Sequence, residues 1–421
     1  MPTKRTMIFL HLGGQKVFSL ASTLLISVLL ARMLGPEDYG LYVFVSAFIP
    51  LAALPITGGL PQLLTREVAK YGNGTSLNLD GPVAGALRLS QRVSIFFSVV
   101  CTAGLLSFQS NSTAFLVCLC LLCVPFLAFE ASYNGVIRGL RKPSYAEFPK
   151  QVFQPLVLGT VLMLLVVLEK LNATNAIITL LGATAASTVC SWLIYRGIKP
   201  VNKTATSSDK TSSLSIKTLL SFSAIALFAS LNAQIGILVL GWLDQTTSVA
   251  AVRIAERAGQ LTILPLTIIN LMIAPRVAAA WQANNSEELQ RLIKRAGRLS
   301  FCLTLPALPL ICFYGDWLIA SLFGSAYVAE SLDAVIVLVA GQTVGLVFGT
   351  VWPLLIMTGH EREALHRLIV SCGLNLILCL WLAPAFGATG AALATCVSLI
   401  FWKLSFASVI KQRLGVSPYV V

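Results

Sequence analysis

Twelve runs of about 20 mostly apolar residues recur along the chain, separated by short polar segments, and a run of that length suits a helix crossing a bilayer. They lie near residues 12–34, 39–60, 91–109, 114–136, 151–168 and 175–195, then 218–240, 250–275, 298–314, 332–357, 368–385 and 388–410. The pattern predicts an all-α polytopic membrane protein. Composition agrees: of 421 residues, 56% are apolar and 11% charged, against about 25% charged in a soluble domain. The net charge of +13 does not imply a nucleic-acid partner, because that requires basic groups on a solvated, charge-rich face. Lys4 and Arg5 precede an apolar stretch that is too long for a signal peptide and has no cleavage site.

The basic residues follow the alternation that twelve spans impose. Of the 30 Lys and Arg, 25 fall on the side of the N-terminus and four on the other, namely Arg32, Lys170, Arg253 and Arg257, with Lys16 inside a span. Acidic residues divide eight and eight, with Glu130 inside a span. By the positive-inside rule both termini are expected in the cytoplasm. The +13 then separates into +17 on the cytoplasmic face and −4 on the outer face, so most of it is a topological signal.

Residues 196–217, rich in Ser, Thr and Lys, read as a flexible cytoplasmic linker between bundles at 1–200 and 218–421. Fragments recur at an offset near 210: Arg88-Leu89-Ser90 with Arg298-Leu299-Ser300, and Arg66 with Arg276. Two six-helix bundles with the same orientation are expected to be related by a pseudo-two-fold along the membrane normal, with a substrate cavity between them. Residues 286–298 form a separate amphipathic helix. Ser286 is its N-cap, Glu287 and Glu288 fill its first turn, and Leu289, Leu292, Ile293 and Ala296 make its apolar stripe. It is expected either against anionic lipid head groups or as a solvated loop helix.

Polar residues within spans are costly and so become functional candidates. Lys16 lies beside Gln15 near the cytoplasmic end of span 1, where it either faces substrate or snorkels to the interface. Glu130 and Asn134 share one face of span 4, with Arg138 a turn further. Glu130 is a candidate coupling group or a partner for Lys16. Arg253, Glu256 and Arg257 fall at i, i+3 and i+4 on span 8, with Ala255, Ala258 and Gly259 leaving room around them. Two guanidinium forks suit a phosphate or carboxylate ligand, with Glu256 as counter-ion; the competing reading is a self-satisfied Arg/Glu network. Cys118, Cys120 and Cys123 sit among Leu, Val and Phe and read as small buried hydrophobes, not as zinc ligands. No metal, cofactor or catalytic constellation is expected, so the chain reads as a non-enzyme.

Leu30-Ala31-Arg32-Met33-Leu34-Gly35-Pro36-Glu37-Asp38-Tyr39-Gly40-Leu41-Tyr42 and Gly59-Leu60-Pro61-Gln62 closely resemble the opening of lipid-linked oligosaccharide flippases. These form the polysaccharide-transporter branch of the multidrug/oligosaccharidyl-lipid/polysaccharide exporter superfamily. Arg138-Gly139-Leu140-Arg141-Lys142, Pro275-Arg276, Leu322-Phe323-Gly324 before Tyr327, Thr358-Gly359 and Gly387-Ala388-Thr389-Gly390-Ala391-Ala392 agree in order and placement. The resemblance implies a V-shaped exporter fold of two six-helix bundles in a bacterial cytoplasmic membrane. It implies a polyprenyl-diphosphate-linked oligosaccharide as substrate, carried outward by alternating access for surface polysaccharide such as O-antigen, capsule or exopolysaccharide. Partners would be the lipid bilayer, a polysaccharide polymerase and chain-length machinery. Many members of this branch have fourteen spans, whereas twelve are expected here. Family members place cations on cavity-facing helices; Lys16, Arg253 and Arg257 match, and Arg32 does so marginally. Substrate contacts are therefore expected at Lys16, Asn134, Arg253 and Arg257, with Glu130 and Glu256 as counter-ions or coupling groups. An exporter of drugs or small cations on the same fold is the alternative, and would call for unpaired cavity carboxylates. A major-facilitator carrier is disfavoured because residues 66–88 lack its Gly/Asp/Arg motif. A membrane-embedded glycosyltransferase or polymerase is disfavoured by short outer loops over which Asp316, Glu330 and Asp333 are scattered.

Overall fold

A computed structural model of the chain describes residues 4–71, 80–107, 112–198, 216–270, 286–348 and 361–414, with isolated positions 273, 277, 351 and 355. Most of the expected linker, together with Arg276 and Thr358-Gly359, lies outside the described residues. Among those described, every regular element is helical.

Two of the helices are too long for a single crossing, and each contains a break. α1 (Lys4–Ser46) is interrupted at Gly35, where φ is +78°, and Pro36 opens its second limb. The last helix (Glu361–Leu414) is interrupted at Gly387, where φ is +52°. Glycine adopts positive φ readily and L side chains rarely do, so the glycines of the two resemblance motifs mark the breaks between paired helices. The apolar stretches containing them, His11–Leu54 and Arg362–Gln412, run 44 and 51 residues. At about 1.5 Å rise per residue each is enough for two passages.

Eight stretches among the described residues are long and apolar enough to cross a membrane, and the two broken ones supply two crossings each. The remaining expected spans correspond to α4 (Asp80–Ser107), apolar over Ser94–Gly104, and to α11 (Thr246–Thr262), which carries Arg253, Glu256 and Arg257. The chain is a multi-pass membrane protein with about twelve helical crossings.

It divides into two compact units. The first comprises Met1–Ile26 and Val45–Leu227, the second Ser27–Phe44 and Phe228–Val421. The end of the first limb of α1 and most of its second limb therefore belong to the second unit. In the first unit, α2 (Phe48–Thr57) leads into α3 (Leu60–Tyr71). α5 (Ser112–Leu121) and α6 (Cys123–Gly139) follow α4. α7 (Pro143–Phe148) passes through a π turn at Pro149–Phe153 into α8 (Gln154–Val167), and α9 (Ala173–Ile198) ends the described part of this half. Leu60, Leu64 and Val68 of α3 meet Val136 and Ile137 of α6 in the core.

The second unit contains α10 (Ile216–Trp242) from Phe228 onward and α11. α12 (Ser286–Thr304), α13 (Ala307–Leu322), a short 3₁₀ turn at Ser325–Tyr327, α14 (Val328–Leu346) and α15 (Glu361–Leu414) complete it. Here the structure corrects one expectation. α12 is continuous from the amphipathic segment into the next span, and its stripe is not a lipid-head-group face. Leu289 and Ile293, each 1% exposed, pack into a core with Phe348, Phe406 and Ile410. Their i, i+4 spacing presents both side chains to one neighbouring surface, and in this fold that surface is protein.

The opening motif is positional. Arg32 donates from Nε to Leu322 O at 2.7 Å and from Nη2 to Ser321 O, so it caps the carbonyl end of α13, where the helix dipole favours a cation. Tyr327 Oη donates to Ala31 O at 2.7 Å, and its ring meets Tyr39 edge-on with centroids 6.4 Å apart. The other resemblance motif, Gly387 to Ala392, buries Ala388, Ala391 and Ala392, a seam of small residues of the kind that lets membrane helices approach closely.

Candidate functional site

In the first unit, Glu130 on α6 is 2% exposed and accepts a hydrogen bond from Ser187 Oγ on α9 at 2.7 Å. A carboxylate placed in an apolar bundle needs such a donor. Asn134, one turn on, is also buried, and its Oδ1 has no donor among the described residues. Arg138, a further turn along, pairs with Glu147 of α7, and Gln151 Nε2 donates to the same carboxylate at 2.6 Å. Lys16 is half-buried on α1. Its neighbour Gln15 is buried and donates to Ser144 O at 3.1 Å. Among the described residues Glu130 is held by Ser187, and no ion pair joins it to Lys16.

The second unit contains a cavity of about 260 Å³. Its floor is α11, whose i, i+3, i+4 spacing brings Arg253, Glu256, Gly259 and Gln260 to one side. α10 contributes Asn232 and Gln234, α14 contributes Gln342, and α15 contributes Thr395 and Trp402. Four amide side chains, a hydroxyl, an indole and an ion pair thus meet around one cavity. Arg253 Nη1 lies 2.8 Å from Glu256 Oε2. Arg257 points elsewhere on the same helix: Nη1 donates to Gln260 Oε1 at 2.8 Å and Nε to Ser27 Oγ at 3.1 Å. The cluster of Arg253, Glu256 and Arg257 is therefore partly self-satisfied, and it also forms one wall of a cavity.

A buried polar network lies behind that wall. Asn375, fully buried, donates from Nδ2 to Asn232 Oδ1 at 2.6 Å and to Asn232 O at 2.9 Å. Asn232 Nδ2 donates to Ser371 Oγ at 3.3 Å, and the hydroxyls of Ser371 and Ser398 lie 2.8 Å apart. Asn232 is thus held in one orientation, although Asn375 Oδ1 has no hydrogen-bond partner among the described residues.

Lys403 is one of the 25 basic residues that the alternation assigns to the side of the N-terminus. The structure buries it to 5% exposure, with Nζ 5.8 Å from the centroid of Trp402, which lines the cavity. Its signal in the sequence was a lysine next to a tryptophan inside an apolar run. Gln234 and Gln342, like Asn232 and Asn375, read in the sequence as weaker in-span polar residues that interhelical hydrogen bonds would explain, and Trp402 is unmarked.

A family model described as "Polysaccharide biosynthesis protein" matches residues 9–281. A probable low-salt glycan biosynthesis flippase of Haloferax volcanii is 26% identical over 206 residues, which are 47% of this chain and 43% of that protein. The chain thus matches less than half the length of that curated relative. Among solved structures, a multidrug resistance MATE family transporter of the MOP superfamily in an inward-facing conformation gives a TM-score of 0.75 at 15% identity, covering 97% of this chain and 98% of the other. The lipid II flippase MurJ in an inward closed conformation gives 0.73 at 14% identity, covering 96% and 87%. A MOP superfamily transporter from Pyrococcus furiosus gives 0.68 at 14%, covering 97% and 95%. At these identities the likeness is one of fold.

Proposed function

The chain belongs to the polysaccharide biosynthesis protein family, and from that premise we propose that it is a flippase for a polyprenyl-diphosphate-linked oligosaccharide. It moves its substrate by alternating access from the cytoplasmic to the outer leaflet of the bacterial cytoplasmic membrane, for assembly of O-antigen, capsule or exopolysaccharide. Its termini are cytoplasmic, and a polymerase with its chain-length machinery takes the product. The observation that carries this reading is the cavity of the second unit, a concentration of amides and an ion pair within a chain that is 56% apolar. Intramembrane polar groups that line a cavity are the usual mark of a substrate path. The curated relative's description as a glycan biosynthesis flippase supports the same class.

Lys16 and Asn134 in the first unit, and Arg253 and Arg257 in the second, are the proposed substrate contacts, with Glu130 and Glu256 as counter-ions. A diphosphate leaving a negatively charged cytoplasm moves downhill by about 2.3 kcal/mol per charge per 100 mV, so the membrane potential is a sufficient driving force. No covalent chemistry is needed. A drug or cation exporter of the same fold would present bare carboxylates, whereas here Glu256 is paired with Arg253 and Glu130 with Ser187.

The test is complementation. The chain is expressed in strains that each lack one flippase, and surface glycan is measured. Restoration in at least one strain is expected, with loss on Arg253→Ala combined with Arg257→Ala. Normal surface glycan from the double variant would remove these two arginines from the site. Failure in every strain, with the protein present in the membrane, would remove the function. Dissipating the potential at constant pH gradient in sealed vesicles is expected to slow flipping, and an unchanged rate would refute the driving force.

A further inference from the structure

The groups around the second unit's cavity differ in what they have left to offer. Arg253 has one edge of its guanidinium fork occupied by Glu256 at 2.8 Å, so the pair is neutral as a unit. An incoming phosphate would meet the Glu256 carboxylate beside Arg253, the only guanidinium lining the cavity among the described residues. Asn232 is consumed by Asn375, Ser371 and Ser398. In contrast, Gln234 Oε1 is buried with no donor, and the amide of Gln342 has no hydrogen-bond partner among the described residues. Gln260 uses its oxygen toward Arg257 and keeps its NH₂ donors.

Unengaged amides beside an indole, with a charge that is already compensated, make a poor oxyanion site. Bidentate recognition of phosphate or carboxylate takes two parallel N–H donors of a guanidinium, and the Glu256 carboxylate beside those of Arg253 repels a second anion. A sugar is different. Each hydroxyl both donates and accepts, and a carboxamide offers both functions in return. The apolar C–H face of a pyranose packs on an aromatic ring, and Trp402 supplies that ring at the wall. Ala229, Ala233 and Gly259 leave the space. At about 260 Å³ the cavity lies near the small end of ligand pockets, which suits one or two sugar rings and not a whole oligosaccharide.

We infer that this cavity receives an uncharged sugar unit of the transported glycolipid, read by Gln234, Gln342 and Trp402, while the diphosphate binds outside it. The inference rests on the flippase reading and names which part of the substrate this cavity takes. Glu256 has a specificity role in it: by neutralising Arg253 it keeps acidic groups out.

The experiment uses the full chain purified in nanodiscs and saturation-transfer NMR. Its probes are methyl glycosides of glucose, galactose, mannose and N-acetylglucosamine, and methyl glucuronide, with inorganic pyrophosphate as competitor. At least one neutral glycoside is expected to show transfer that pyrophosphate does not displace, with methyl glucuronide silent. Gln342→Ala is expected to weaken that signal about fivefold, roughly the worth of one net hydrogen bond. Ala233→Trp removes no polar group and fills the cavity, so it is expected to abolish the signal. Glu256→Gln frees the guanidinium fork and is expected to make pyrophosphate a competitor. The proposal is overturned if no neutral glycoside binds, if pyrophosphate displaces it from the wild-type chain, or if Gln342→Ala and Ala233→Trp both leave the signal unchanged. Complementation separates the two readings. Restored surface glycan together with any of those results keeps the flippase and removes the sugar pocket; glycoside binding without complementation does the reverse.

Discussion

Replacing Arg253 and Glu256 singly and together isolates the one ion pair in the cavity wall. The two side chains are 13% and 20% exposed, and their closest atoms are 2.8 Å apart. For a fully buried pair, losing one partner costs about 3–5 kcal/mol, because the other charge is stranded. Here both retain some exposure and sit on the same helix turn, which brings the expectation nearer to a charge-assisted hydrogen bond, about 1.5–3 kcal/mol. Arg253→Gln and Glu256→Gln should each destabilise the chain, with Glu256→Gln the worse because it leaves a guanidinium in the cavity without its carboxylate. The double variant removes both charges together, so it should be more stable than the sum of the singles implies. A coupling of about 1–3 kcal/mol is expected. The assay is unfolding in mixed detergent micelles containing increasing dodecyl sulfate, followed by a thiol-reactive fluorophore. Cys120, Cys123 and Cys379, all fully buried, report the loss of structure by becoming reactive. A coupling below about 0.5 kcal/mol is what independent sites show. It would refute the pair as a unit, and with it the argument that Arg253 is already neutralised.

Gly387→Ala puts a side chain at φ +52° and within 3.0 Å of Ser248 Oγ, so a loss of about 1–3 kcal/mol is expected in the same unfolding assay; an unchanged midpoint would mean the break does not need glycine. Ile293→Ala should cost about 2–5 kcal/mol as a buried large-to-small change, whereas the half-buried Leu292, changed to alanine, should cost clearly less; equal, small losses would return α12 to the lipid surface. Lys403→Met should raise the unfolding midpoint, since among the described residues no carboxylate offsets the burial of its ammonium; a fall would reveal a stabilising partner or ligand.

The fold was legible because lipid imposes a length on every helix. Runs of about 20 apolar residues and the side of each basic loop locate crossings with no knowledge of packing. Even α11, with three charged residues in its span, was found from its place in the alternation. The breaks inside α1 and α15 were legible for a related reason: Gly35-Pro36 and the glycines from Gly387 fall between two apolar runs, where the chain has to turn back. α12 was misread because an amphipathic stripe states that one side is buried and leaves open what covers it. Leu289 and Ile293 meet Phe406 and Ile410, more than a hundred residues away in sequence, and no local pattern encodes that meeting.

The site was legible in its charges and only faintly in its amides, which read first as interhelical hydrogen bonds. An Arg or Glu inside a span stands out because its desolvation is costly, so Glu130, Arg253, Glu256 and Arg257 were visible from position alone. Their partners were not. Spacing made Lys16 a plausible companion for Glu130, yet the carboxylate takes its hydrogen bond from Ser187, 57 residues along the chain. Spacing likewise put Arg253 and Arg257 on one face, yet one faces Glu256 and the cavity while the other turns to Gln260 and Ser27. The i+4 step between those two arginines runs about 40° past a full turn on a helix with about 3.6 residues per turn, and a long side chain magnifies that divergence. Two guanidiniums that look like one clamp in the sequence therefore have different work. Arg253, compensated, belongs to a wall suited to neutral groups. Arg257, bound only by uncharged oxygens among the described residues, keeps its full charge, and that leaves it as the second unit's better candidate for a phosphate.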